Sequence, residues 1–201
     1  VTSDITYITF DPESVLTQFN ASQWLDNYWK VLSDENSRVN LVSRETTSDS
    51  FRRIVGEALL PLTQFSPNGG RYLDIGSGGG IPAIPLLLAG VISAPPFLYE
   101  RTGKKAAALS RMLDTLEISG ATVIAESFGQ RPMKERFSLI TLSWVALTPA
   151  LLKSIAAVME PGSKLVYYSR PDFVIRDHEV SVFSYSQSLD DIHKYFSIIT
   201  K

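Results

Sequence analysis

Tyr72-Leu73-Asp74-Ile75-Gly76-Ser77-Gly78-Gly79-Gly80 joins a short apolar run ending in an acid to a glycine-rich turn, after which a helix opens from Ile81. Glycines in such a turn admit positive φ and let a ligand approach the main chain closely at a helix N-terminus. A dinucleotide fingerprint needs its third glycine at position 81, where Ile stands, so the pattern is GxGxG rather than GxGxxG. Asp74 would repel a pyrophosphate and can receive the ammonium of a methionine moiety, directly or through a water. The turn therefore favours a sulfonium nucleoside over NAD. Pro82 and Pro85 suit a first helical turn, where amide protons have no intrahelical partner. Such a turn also serves as a plain strand-to-helix connection, and that alternative stays open at this point.

Downstream, Pro96-Phe97-Leu98-Tyr99-Glu100 is a second apolar run ending in an acid, 20 residues after Gly80. That is where an acid accepts both ribose hydroxyls in a strand-helix-strand unit. Glu100 next to Arg101 is otherwise an ordinary exposed ion pair. Further runs, Ala121 to Ala125, Phe137 to Leu142 and Leu165 to Ser169, alternate with helical segments such as Lys104 to Leu116, which predicts a parallel sheet with right-handed crossovers. Met159 to Lys164, containing Glu160-Pro161-Gly162, reads as a turn before the fifth run, and Val180 to Tyr185 with Tyr195 to Thr200 as a terminal hairpin. Carboxyl ends of such strands form the ligand crevice, which places Ser127, Phe128, Ser143 and Trp144 at its mouth. Phe128 can cover an adenine and Trp144 can stack on an incoming base. For both aromatics, core packing is the competing reading.

Upstream, Asp11-Pro12-Glu13 is a helix start, an N-cap followed by proline at the first position and an acid in the first turn. A second helix is predicted around Trp24 to Leu32, broken by the polar stretch Ser33 to Ser37; a third has Phe51, Ile54, Val55, Ala58, Leu59 and Leu62 on one face. Residues 1–65 are thus expected to be an all-helical cap, separated by the turn cluster Ser66-Pro67-Asn68-Gly69-Gly70 from a sheet-forming core over residues 66–201. The chain has no Cys, which excludes disulfides, thiolate metal sites and a Cys nucleophile, and no metal is expected. Ile81 to Ile92 is too short and too interrupted by proline for a membrane span, and the first residues lack the basic and apolar regions of a signal peptide. A soluble, cytoplasmic protein and a monomer are the expectation. Net charge is −2, so no global field draws in nucleic acid. Locally, residues 71–140 carry eight Lys and Arg against six Asp and Glu, whereas residues 1–70 carry five against nine. Any polyanion site belongs to the middle segment.

Leu73 to Gly80, Glu100 and Glu160-Pro161-Gly162 together resemble the core motifs of class I S-adenosylmethionine-dependent methyltransferases. Asn40-Leu41-Val42-Ser43-Arg44, Gly80-Ile81-Pro82-Ala83-Ile84-Pro85-Leu86 and Gly103-Lys104-Lys105 more narrowly resemble the RsmG, or GidB, family, which methylates guanine N7 in small-subunit ribosomal RNA. The chain departs from that family at Arg53-Ile54-Val55-Gly56-Glu57, where it has His-x-x-Asp-Ser. It departs again at Ser127, where the family has Arg; at Ser143-Trp144-Val145, where it has Ser-Arg-Ala; and at Ser169, where it has Lys. The resemblance implies a Rossmann-like α/β fold with a seven-stranded, mostly parallel sheet and an N-terminal helical extension. It implies a methyltransferase with S-adenosyl-L-methionine as cofactor and ribosomal RNA, or the small subunit, as partner; methylation of a small molecule or protein and a non-catalytic nucleoside binder are the rivals. On the cofactor side stand Asp74, Gly76, Ser77, Gly78, Gly80, Glu100, Arg101, Ser127, Phe128 and Ser143. On the substrate side, Arg44, Arg52, Arg53, Lys104 and Lys105 are expected to hold phosphates and Trp144 the base. Guanine N7 has a free lone pair and loses no proton on methylation, so positioning suffices and no catalytic acid or base is assigned.

Overall fold

The computed structural model describes residues 4–67, 69–187 and 192–201; the start of the chain and Asn68 of the turn cluster lie outside them. Its strands are β1 (Ile5–Thr9), β2 (Tyr72–Ile75), β3 (Phe97–Tyr99), β4 (Thr122–Ile124), β5 (Phe137–Leu142), β6 (Met159–Tyr167), β7 (Glu179–Ser186) and β8 (Lys194–Thr200). They form one sheet in the order β1-β7-β8-β6-β5-β2-β3-β4. Pairs from β6 to β4 are parallel, β8 runs antiparallel between β6 and β7, and β1 lies parallel to β7. The expected terminal hairpin is therefore present.

Eight strands stand where seven were expected, because β1 adds to the outer edge of β7. The first 65 residues are accordingly not all helical. Phe10 continues the edge pairing, donating its N–H to the Ser186 carbonyl at 2.9 Å, and buries its ring edge-on against Tyr185. The helices are α1 (Pro12–Gln18), α2 (Leu25–Arg38), α3 (Ser48–Leu59), α4 (Ala83–Leu88), α5 (Gly103–Thr115) and α6 (Pro149–Val158). α1 starts as its sequence dictates, with the Asp11 side chain accepting from the Glu13 N–H. α4 starts two residues after the expected Ile81, with Pro82 as its cap and Pro85 in the first turn.

Two further expectations are corrected. α2 runs straight through Ser33 to Ser37, because Glu35 is buried there and both of its oxygens accept from Arg111 of α5, at 2.9 and 2.6 Å. Arg111 holds the Glu35 carboxyl below the usual carboxylate range, against the opposing effect of burial. Met159 to Lys164 belongs to β6 rather than to a turn before it, and the extra length is absorbed as a register shift opposite Phe137 and Leu139.

The sheet separates two cores by strict alternation. Tyr72, Leu139, Val166 and Ile198 face a cluster with apolar residues of α1 to α5, while their neighbours Leu73, Ile140, Leu165 and Ile199 face α6. The first cluster runs without interruption from Val15 and Leu32 to Leu109 and Ile198, so the N-terminal helices share their core with the sheet.

Candidate active site

The glycine turn at the end of β2 is fastened from three sides. The Tyr99 carbonyl, at the end of β3, accepts from the N–H groups of Gly76 and Ser77 at 2.8 and 3.0 Å. Tyr28 of α2 donates its hydroxyl to the Gly79 carbonyl at 3.0 Å, and the Asn40–Ser43 loop closes over the turn. That loop is pinned by Asn36, whose Oδ1 accepts from the Leu41 and Val42 N–H groups at 2.8 and 3.0 Å. Gly76, Gly78 and Gly80 all have positive φ, but their surroundings differ. A Cβ at Gly76 would sit 2.5 Å from a Val145 methyl, so that glycine is required by packing against the loop after β5. A Cβ at Gly78 would meet no atom closer than the Gly76 carbonyl at 3.7 Å. Gly78 thus leaves room for a ligand.

Glu100 organises this site. Its Oε2 accepts from the Gly78 N–H at 2.9 Å and its Oε1 from the Thr102 N–H at 2.7 Å, so one carboxylate ties the glycine turn to the start of α5. Each oxygen uses one lone-pair direction and keeps another. Glu100 is 7% exposed, and that exposed part faces a cavity of about 850 Å³ bounded by the turn, the Asn40–Ser43 loop and the ends of β3, β4 and β5.

Of the residues assigned to the cofactor side, Gly76, Ser77, Gly78, Glu100, Arg101, Ser127 and Phe128 line this cavity. Phe128 stands edge-on to Tyr99, with ring centroids 5.2 Å apart. Asp74 and Gly80 do not line it. Asp74 is fully buried beneath the turn, where its Oδ1 accepts from the Thr141 hydroxyl at 2.5 Å and its Oδ2 has no hydrogen-bond partner. Burial pushes its carboxyl up to about 6, against the downward pull of Thr141 and Ser77. Ser143 faces a second cavity, of about 760 Å³, which shares Ile54, Ile81, Trp144, Val145 and Ala146 with the first.

The substrate-side residues scatter more. Trp144 is 96% exposed, lines both cavities and holds a φ of +59°. It is no core residue. A non-glycine side chain kept in the left-handed region costs free energy of order 1–3 kcal/mol and persists only where its surroundings impose it. Arg52 is drawn away from the cavity by a fork on Glu13, Nε to Oε1 at 3.0 Å and Nη2 to Oε2 at 2.7 Å. Arg53 donates to Glu57 at 3.2 Å and also lies outside the first cavity. Arg44 and Lys104 are exposed and do not line it, whereas Lys105 does. Tyr99, Asn40, Leu41 and Thr46 also line the cavity without having been assigned to it. The run Asn40 to Arg44 carried a signal, but only its arginine has an evident chemistry. Among the described residues no group of three or more His, Asp or Glu is gathered as for a metal, and no helix is long and apolar enough to cross a membrane.

The strand order, with the glycine turn after β2 and the acid at the end of β3 opening on one cavity, is that of a class I S-adenosylmethionine-dependent methyltransferase. Solved structures with the same fold include an O-methyltransferase from Bacillus cereus in complex with SAH, with a TM-score of 0.59 at 15% identity over 86% of this chain and 91% of that one. A putative O-methyltransferase from Klebsiella pneumoniae has the same TM-score and identity over 88% of each chain. The family model described as GidB, rRNA small subunit methyltransferase G, matches residues 21–173. The chain belongs to the GidB family. Among its relatives, the Ribosomal RNA small subunit methyltransferase G of Chlorobium phaeobacteroides is 28% identical over 84% of this chain and 74% of its own length. The protein of the same name from Rhodopseudomonas palustris is 33% identical over 69% of this chain. That alignment spans 63% of the relative, less than two thirds of its length.

Proposed function

We propose that this protein transfers the methyl group of S-adenosylmethionine to N7 of a guanine in small-subunit ribosomal RNA, acting as a cytoplasmic monomer. The observation that carries the reading is Glu100, held by the Gly78 and Thr102 amides with its free lone pairs toward the cavity. There it would accept from the ribose hydroxyls, and Phe128 and Tyr99, packed edge-on to each other in the cavity wall, would border the adenine. The unpartnered Oδ2 of Asp74 supplies negative charge behind the turn for the methionine ammonium. The bound cofactor brings a methyl group already activated by its sulfonium, so the protein's part is to align it with the acceptor and exclude water.

The family and its relatives' names support the RNA substrate. Lys105 in the cavity wall and the exposed Arg44 and Lys104 are the cations that would hold phosphates, while Arg101 stays on the cofactor side. α2, through Tyr28, and the Asn40–Ser43 loop act as a cap that closes the cofactor side. Mass mapping of ribosomal RNA from cells with and without the gene tests the assignment. One N7-methylguanine in small-subunit RNA is expected to disappear with the gene and return with its expression; identical maps would overturn the ribosomal reading.

A further inference from the structure

The second cavity begins where the cofactor cavity ends, at Ile54, Ile81, Trp144, Val145 and Ala146. Its wall includes Tyr167, Tyr168, Tyr185 and Tyr195. Among the described residues lining it, Glu57 is the one carboxylate and Lys194 the one cation. The Glu57 side chain is only 14% exposed. Its Oε1 accepts from Arg53 Nε at 3.2 Å and Lys194 Nζ at 2.7 Å, and its Oε2 from Lys194 Nζ at 2.8 Å. A carboxylate oxygen has about two lone-pair sites, so Oε2 keeps one open. An ion pair held in the wall of a tyrosine-lined cavity presents an acceptor beside a donor to any flat heterocycle that enters.

We infer that this cavity takes the acceptor base and that Glu57, with Lys194, selects guanine by reading its edge; the inference rests on the proposed guanine acceptor. Along that edge guanine presents one acceptor, O6, followed by two donors, N1–H and the 2-amino group. The Lys194 ammonium donates to O6 and the one open site of Glu57 Oε2 accepts from the 2-amino group. N7 lies away from N1 and the 2-amino group, so an edge held at Glu57 leaves the N7 lone pair unobstructed. Adenine carries neither O6 nor the 2-amino group, and hypoxanthine lacks the 2-amino donor. Trp144 at the shared wall supplies a stacking face.

The test is an NMR titration of the full chain, saturated with S-adenosylhomocysteine, with guanosine, inosine and adenosine monophosphates. The wild-type protein is expected to bind the guanosine nucleotide roughly tenfold more tightly than the inosine one, the effect of one hydrogen bond to a charged group. Glu57→Gln is expected to erase that preference while S-adenosylhomocysteine still binds as before. Lys194→Met is expected to weaken guanosine and inosine nucleotides alike, because both carry O6, and to keep the preference. Equal wild-type binding of the guanosine and inosine nucleotides, or a preference untouched in folded Glu57→Gln, overturns the inference. A Glu57 that merely tied α3 to β8 would change the melting temperature and leave the base preference alone. Failure of the ribosomal reading shows separately, as unchanged RNA maps with the guanine preference intact.

Discussion

Asp74 shows how one residue can be legible in kind and not in setting. Its place at the end of an apolar strand before glycines marks it as part of the site, but the sequence is silent on its complete burial between Thr141 and the turn. Because the folded protein pushes its carboxyl up to about 6, the folded state binds a proton that the unfolded chain has released. The stability this confers is fully present below the ordinary Asp range and is lost as pH rises through about 6. Asp74→Asn removes the titration. Urea unfolding at a series of pH values is therefore expected to show the wild type losing about 3 kcal/mol relative to the variant between about pH 4 and 7, from roughly two pKa units. Parallel curves for the two proteins would mean that Asp74 is not strained by burial.

At the scale of elements, what the sequence concealed had partners far along the chain. The β-branched and aromatic content of Ile5-Thr6-Tyr7-Ile8-Thr9 was a strand signal, but only β7, some 170 residues later, gives that strand an edge to join. α2 crosses its polar stretch because Arg111, 76 residues away, supplies the partner that lets Glu35 be buried. Phe10 tests the first of these. Its ring is 2% exposed, packed against Tyr185 and close to Gly56. Phe10→Ala is expected to cost about 3–5 kcal/mol in chemical denaturation, the usual penalty for an emptied aromatic site. A loss below about 1 kcal/mol would show that β1 and its flank are dispensable to the sheet.

For the whole molecule, a net charge of −2 means that attraction to RNA has to come from one region. Arg101 and Lys105 line the cavity, and Arg44 and Lys104 are exposed next in sequence to the lining residues Ser43 and Lys105, whereas Arg52 and Arg53 are drawn onto Glu13 and Glu57. Replacing Arg44 and Lys104 together by Ala is expected to weaken RNA binding and to reduce the slope of log affinity against log salt by about 1.5, the loss of two phosphate contacts. Cofactor affinity, measured by calorimetry in the same buffers, should be unchanged. An unaltered salt slope would place the RNA elsewhere on the surface.

The sequence by itself determined the sheet-forming pattern, the glycine turn, the strand-end acid and most helix starts. These depend on residues within a turn or two of one another, through φ preferences, period-2 alternation and local caps. Only the tertiary structure decided that β1 belongs to the sheet, that α2 continues through its polar stretch, and that Trp144 stands in solvent rather than in the core. It alone paired Arg52 with Glu13 and set Glu57 in the wall of a second cavity. Burial, ion pairing and cavity shape arise from groups that meet only when distant segments pack, and no local pattern specifies which cation a carboxylate will find.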